Sequence, residues 1–452
     1  MIQQILFLVV FSSAFLFALK NFSKIRRNIL LGRDKVIEGN APERFKNVAL
    51  VAFGQKKMFK NWIPAVLHLF IYAAFVITQI ELIEIIIDGI TGKHRVFAEM
   101  LGGLYTFIIS FIEILSVLAF FATIIFLWRR NLLKVPRLVK SEMNGWPTLD
   151  ANLILVFELI LLVGIFTMNG ADTVLQTMDS AHYPDTGSLA VSSWLGPMLF
   201  GGFSESTLVI LERSGWWLHL IMVLVFLNYL PFSKHLHIIF AFPNVYFSNL
   251  ESRGEMENMP SIMNEVKSMM GLVEEQSADE MSAELPEFGA NDIFGLHWKN
   301  LLDAYSCTEC GRCTAACPAN ETGKVLSPRK IMMDVRDRAE EVGKGLDSGN
   351  DSFKKDATQA IGANNYQDDK NLFSYITDEE LFACTTCNAC VEECPVTIDP
   401  LDIIMQLRRY RILTDAAGPS EWLPMFTSIE NSGSVWQVPD ARDGWTKELE
   451  NK

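Results

Sequence analysis

Outside two short runs, this 452-residue chain has no cysteine. That leaves no thiol for a dispersed disulfide framework or for a lone catalytic nucleophile. Phosphate-binding signatures are missing as well. No G-x-G-x-x-G opens a helix after a strand, and no G-x-x-x-x-G-K-S/T occurs, so neither a dinucleotide nor a nucleoside triphosphate site is expected. No G-x-S-x-G elbow and no zinc-protease motif stands out. Basic charge is scarce where a nucleic-acid surface would need it: residues 248–452 carry 19 Lys+Arg against 37 Asp+Glu, with no basic stripe.

What is present is concentrated. All 8 cysteines lie in Cys307-Thr-Glu-Cys310-Gly-Arg-Cys313-Thr-Ala-Ala-Cys317-Pro318 and Cys384-Thr-Thr-Cys387-Asn-Ala-Cys390-Val-Glu-Glu-Cys394-Pro395. Both read C-x2-C-x2-C-x3-C-P. A single C-x-x-C would suit zinc or a redox thiol pair equally well. Two full copies with no cysteine left over point to two [4Fe-4S] clusters. Two-residue spacers let three sulfurs of a tight loop turn inward, and in two-cluster ferredoxins the fourth cysteine of each run serves the other cluster. The expected sets are therefore Cys307, Cys310, Cys313 with Cys394, and Cys384, Cys387, Cys390 with Cys317.

Half of the residues are apolar, the mean hydropathy is +0.20 and the formal charge is −14. The charge is uneven, since residues 1–247 carry 20 Lys+Arg against 16 Asp+Glu. An apolar, slightly basic half thus precedes an acidic one. Five runs are long enough to cross a bilayer: residues 2–19, 62–87, 104–128, 151–168 and 216–240. The first has no basic residues before it and no evident cleavage site, so it reads as a retained anchor and not a signal peptide. The 20–61 loop carries 11 Lys+Arg and the 129–150 loop 5; the 88–103 loop has only Lys93 and Arg95, and the 169–215 loop only Arg213. The positive-inside rule then puts the N-terminus outside and the cysteine domain in the cytoplasm, on the inner membrane.

Seven histidines remain to be placed. On one continuous helix His219 and His237 would share a face, roughly 27 Å apart, while His235 would point away. His68, near the start of the second span, would lie at the depth of His237. Two neutral imidazoles on facing helices can hold a b-type haem, so His68 and His237 are the candidate ligands. His219 is a candidate for a second haem at the outer end; Thr78 stands where its partner on the second span would be, and His94 is the alternative. His182 and His297 read as surface residues. Glu81, Glu84, Glu113 and Glu158 lie within spans, where ionisable groups serve protons or quinone, or bond neighbouring helices.

The segment Leu218-His219 through Pro231-Phe232-Ser233-Lys234-His235-Leu236-His237 resembles the last span of the nitrate reductase gamma subunit family, which includes membrane subunits of heterodisulfide reductases. The resemblance implies a five-helix cytochrome b that exchanges electrons with quinone. That family usually has two histidines on the second span, and this sequence shows one. The cysteine domain resembles the cluster subunits of heterodisulfide reductase, the small subunit of anaerobic glycerol-3-phosphate dehydrogenase and the iron–sulfur domain of succinate dehydrogenase. The short run Leu326-Ser327-Pro328-Arg329-Lys330 is similar to a stretch in those relatives.

The expected organisation is all-α: a five-span transmembrane bundle (1–247), an acidic linker (248–293), a helical two-cluster ferredoxin domain (294–415) and a docking tail (416–452) with Trp422, Trp436 and Trp445. Helices are expected at 261–273, at 328–342 with Ser327 as cap, at 378–383 with the capping pair Thr377 and Glu380, and at 403–414. Ser428-Ile429-Glu430-Asn431 with Val435-Trp436 resembles a stretch that precedes a cysteine-rich catalytic domain in related oxidoreductases. That implies a separate catalytic subunit or a flavoprotein partner. The chain reads as the electron-transfer subunit of a quinone-linked respiratory oxidoreductase. The alternative is a membrane-tethered iron–sulfur redox sensor or scaffold.

Overall fold

Five helices of the computed structural model are long and apolar enough to cross a membrane: α1 (Ile2–Ile29), α2 (Trp62–Thr91), α3 (Gly103–Asn131), α4 (Trp146–Met178) and α5 (Glu205–Phe232). The structure describes residues 1–37, 39–179, 182–252, 254–272, 288–356, 358–359, 361–436, 446 and 449. Much of the acidic linker, with Pro286, and Trp445 of the tail lie outside the described residues. Among the described residues there is no strand, only isolated bridges such as Arg33 with His297. Leu16, Phe107, Phe121 and Ile210 are exposed on the spans, as a surface facing lipid allows.

Small residues set a close helix crossing. A Cβ on Gly215 of α5 would stand 2.6 Å from the Met168 nitrogen and 2.8 Å from the Gly164 oxygen of α4. Glycine at both positions lets the two backbones touch. The second span is interrupted at Thr78, where the Thr78 hydroxyl and the Gln79 amide both donate to the Phe75 carbonyl.

The fifth span departs from its expected course. It starts earlier, with Ser204 capping Thr207 N at 3.4 Å, and it stops at Pro231. Proline lacks the N–H that the next helical turn needs. Two three-residue 3-10 turns, Leu230–Phe232 and Lys234–Leu236, follow before α6 (His237–Tyr246) begins. His219 and His237 therefore lie on different helices, and the shared helical face expected for them does not exist.

Helix α7 (Pro260–Met269) belongs to the linker. The cluster domain adds α8 (Trp298–Ser306), α9 (Pro328–Ser348) and α10 (Pro400–Arg409), and the tail adds α11 (Leu423–Ser432). Ser327 caps α9 through Lys330 N, and Thr377 and Glu380 cap each other's backbone ahead of the second cysteine run. Trp422 packs on Phe382 at 5.1 Å, whereas Trp436 is exposed.

The basic ends of the spans all meet the cluster domain. Lys24 and Arg27 of α1 pair with Asp347, and Asn28 donates to the Tyr305 hydroxyl at 3.0 Å. After α3, Lys140 reaches Asn320 and Glu142 pairs with Arg329. Before α2, Lys57 donates to the Val391 carbonyl and Lys60 pairs with Glu393. Gly215→Leu is expected to lower stability by about 1–3 kcal/mol by forcing α4 and α5 apart. A thermal midpoint in detergent equal to wild type would show that the crossing tolerates a side chain.

Candidate metal centres and histidine cluster

The two cysteine runs fold into the same local shape. Glu309 and Gly311 have φ of 52° and 72°; Thr386 and Asn388, at the matching places, have 56° and 61°. These left-handed residues reverse the chain between cysteines and turn the thiols inward. They also aim backbone N–H groups at sulfur: Glu309 N to Cys307 Sγ and Thr386 N to Cys384 Sγ, both at 3.4 Å. The third cysteine of each run opens a short helix, Arg312–Ala315 or Ala389–Glu393.

Cys307, Cys310, Cys313 and Cys394 line one cavity. Cys317 lies within electrostatic reach of Cys384 and Cys390. Cys394 thus sits with the first three cysteines of the other run, and Cys317 with the first and third of its opposite run. Burial pushes the Cys307 thiol up to about 12 and Cys394 up to about 11, and it drives Cys313 well above the ordinary thiol range with help from neighbouring thiols. Such thiols ionise together only around a strong positive charge, and coordinated metal supplies one. Among the described residues no three His, Cys, Asp or Glu side chains converge on a single ion. Four thiols spread around a cavity fit a polynuclear cluster better than one tetrahedral zinc.

The charge around the two sets differs. Arg312 and Arg329 line the first cavity. Arg329 is fully buried and donates to the Arg137 carbonyl at 2.6 Å and to Glu142 at 2.7 Å. Arg312 is 5% exposed and has no hydrogen-bond or ion-pair partner among the described residues. A buried guanidinium without an anion is costly, so the cavity is built for negative charge. Near the second set stands Asp399, and Arg408 is engaged with the Leu381 and Cys384 carbonyls. Cys387 of this set is exposed.

His68 lies within electrostatic reach of both Arg312 and His237. His68 Nδ1 is 3.1 Å from Gln55 Oε1, and His237 Nδ1 is 3.3 Å from the Lys234 carbonyl. Each imidazole is thereby oriented through one nitrogen, and its Nε2 is left to bind something else, the arrangement metal-ligating histidines use. His235 joins them, its ring 5.7 Å from that of His237 and its Nδ1 3.1 Å from Ser233 Oγ. Burial lowers His237 and holds His235 well below the usual imidazole range, so both are neutral. The helical-wheel argument against His235 fails because residues 230–236 are not α-helical. Pro231 was the signal in the sequence.

The other histidines are placed elsewhere. His219 is buried with Nδ1 3.3 Å from the Leu161 carbonyl of α4, and no second imidazole faces it among the described residues. His94 is committed through both nitrogens, to Asp172 at 2.8 Å and Arg213 at 3.0 Å. His182 is exposed and bonded to Asp179. His297 is half-buried at the start of α8, not on the open surface.

Residues 306–398 match the family of the 4Fe-4S dicluster domain. The chain carries a [4Fe-4S] dicluster ferredoxin domain. It is 30% identical over 439 residues to the probable iron-sulfur-binding oxidoreductase FadF of Bacillus subtilis, which covers 93% of this chain and 57% of that protein. It is 27% identical over 415 residues to the EtfAB:quinone oxidoreductase of Syntrophomonas wolfei, 88% of this chain and 53% of that one. A ferredoxin:CoB-CoM heterodisulfide reductase polypeptide of Methanosarcina mazei matches at 30% over 112 residues, 25% of this chain and 48% of that polypeptide. The chain spans about half the length of these curated relatives. No solved structure matches it. Two of these relatives are named as oxidoreductases and one as a heterodisulfide reductase component.

The matching turns of the dicluster domain are not interchangeable. A Cβ at Gly311 would stand 2.5 Å from Arg329 Nη1. Gly311→Asn is expected to cost about 1–3 kcal/mol and to lower iron retention. Asn388→Gly is expected to stay within about 0.5 kcal/mol of wild type. Equal thermal midpoints for both variants would remove the role assigned to Arg329's packing.

Proposed function

We propose that the chain passes electrons between a soluble redox partner and quinone in the membrane. Cys307, Cys310, Cys313 and Cys394 would hold one [4Fe-4S] cluster, and Cys384, Cys387, Cys390 and Cys317 the other. His68 and His237 would hold a b-type haem, as the likeness to the nitrate reductase gamma subunit family implies. When bound, these groups supply one-electron storage. The observation that carries the reading is that Arg312, which lines the first quartet's cavity, lies within electrostatic reach of His68, itself near His237.

The protein's own residues do the rest. Gln55 and the Lys234 carbonyl orient the imidazoles. Exposed Cys387 makes the second quartet the side on which a partner docks. One relative is by name an EtfAB:quinone oxidoreductase, which supports a flavoprotein or a cysteine-rich catalytic subunit as partner and quinone as the other end. The basic ends of α1 and α3 share the cluster domain's side, which supports a cytoplasmic cluster domain on the inner membrane. The second reading is a tethered redox sensor or scaffold; it shares the clusters and needs no haem.

A reduced-minus-oxidised spectrum with haem and iron counted per chain tests the reading. One b-type haem with about eight irons is expected, and His68→Ala should lose the haem while keeping the cluster signals. Iron without haem in the wild type moves the reading to the sensor. Positive charge favours the reduced, more negative cluster. Arg312→Gln is therefore expected to shift the first cluster's reduction equilibrium about tenfold toward the oxidised form, about 59 mV for a one-electron couple. An unmoved potential in a redox titration followed by electron paramagnetic resonance would sink that tuning role.

A further inference from the structure

At the ends of the spans away from the cluster domain lies a buried polar network that none of the above uses. Arg95, in the turn between α2 and α3, is its hub. It donates to Asp172 of α4 at 3.0 Å, to Asn169 of α4 at 2.6 Å and to the Tyr105 hydroxyl of α3 at 3.0 Å. Tyr105 donates to Glu84 of α2 at 2.8 Å. Asp172 continues to His94, and His94 to Arg213 beside Glu212 on α5. His94 and Arg213 are partly exposed, so the network reaches the surface there. Burying so many ionisable groups among apolar spans is expensive and marks function by default.

Glu81 is the inner end of this network. It is 2% exposed, accepts from Asn169 through Oε1 at 3.4 Å, stands 3.8 Å from Arg95, and has no partner on Oε2 among the described residues. The same face of α2 carries Ile85 into an apolar cluster. Ile85, one turn beyond Glu81, packs in one buried cluster with Ile165, Met168 and Trp216. Trp216 Nε1 is buried and also lacks a partner among the described residues. An apolar cluster with one unmet donor and one unmet carboxyl oxygen suits a flat apolar ring that bears a carbonyl and a hydroxyl. Glu113 of α3 has a free oxygen too, but Val191 N and Ser192 N hold its other oxygen at 2.7 and 3.2 Å. Glu81 is held by side chains alone, through one oxygen.

We propose that a quinone headgroup binds against Glu81 and Trp216, and that Glu81 exchanges its protons with the membrane face opposite the cluster domain. The proposal rests on the quinone reading given above. On oxidation of a quinol, both O–H bonds break and both ring C–O bonds become C=O. Two electrons leave singly toward the one-electron carriers on the cluster side. The two protons pass in turn to the Glu81 carboxylate, and each leaves by way of the Asp172–His94 end of the network. Reduction of a quinone reverses each transfer. Electrons and protons therefore leave toward opposite faces.

The test uses the full chain in detergent with menadiol as the reductant. Glu81→Gln is expected to slow reduction of the bound redox groups by menadiol at least tenfold. It should leave their reduction by dithionite and the thermal midpoint unchanged, and Glu81→Asp should restore most of the rate. A protonated-carboxyl band in the redox-induced infrared difference spectrum should vanish in Glu81→Gln. A purely structural role would not move that band. Menadiol reduction and an infrared band both unchanged in Glu81→Gln would overturn the proposal while leaving the quinone reading intact, and so would losses confined to Glu113→Gln. A wild-type chain that menadiol cannot reduce would overturn the quinone reading itself.

Discussion

Lys234 is an ammonium group buried at the seam between the spans and the cluster domain, and Glu309 is what holds it there. Its Nζ donates to Glu309 at 2.5 Å and to the Pro147 carbonyl at 2.6 Å. The other oxygen of Glu309 takes Arg336 at 2.8 Å. Burial pulls Lys234 down from its ordinary range and pushes Glu309 up, yet Arg336 and Lys234 keep the Glu309 carboxyl below its usual value. Removing one partner of such a pair typically costs about 3–5 kcal/mol, because the other is left charged and dry. Lys234 sits between Ser233 and His235, and Glu309 between Cys307 and Cys310. One ion pair therefore fixes the segment that carries His235 and His237 against the first cysteine loop.

Charge is distributed to match. Arginines crowd the first thiol quartet, where negative charge is to be held, and an aspartate stands by the second. At the opposite ends of the spans the pattern inverts, and the buried carboxyls Glu81, Glu84, Asp172 and Glu212 outnumber the guanidiniums of Arg95 and Arg213. The apolar interior separates a region suited to electrons from a region suited to protons.

Much of this was legible in the sequence because it is local. Cysteine spacing, apolar run length, and the caps at Ser327 and Thr377 each depend on residues a few places apart. The cross-pairing of Cys317 with the second run was expected from the pattern of two-cluster ferredoxins and not from contact. What escaped depends on tertiary contact or on a broken assumption. The wheel drawn through His219 and His237 assumed one helix, and Pro231 ends it. Nothing near Arg312 in the chain says that it lacks a partner, since that depends on which elements surround it. The far network was visible only as isolated glutamates, because Arg95 and Asp172 are 77 residues apart and meet only in the fold.

The loops at the cluster-facing ends of the spans engage the ferredoxin domain from several directions: α1 through Asn28 and Asp347, the turn before α2 through Val391, the turn after α3 through Asn320 and Arg329, and α6 through Asn244 and Val396. A domain gripped from so many sides cannot swing out like a tethered shuttle to collect its cargo. Whatever exchanges with the cysteine runs has to come to them, because the domain is fixed where it stands.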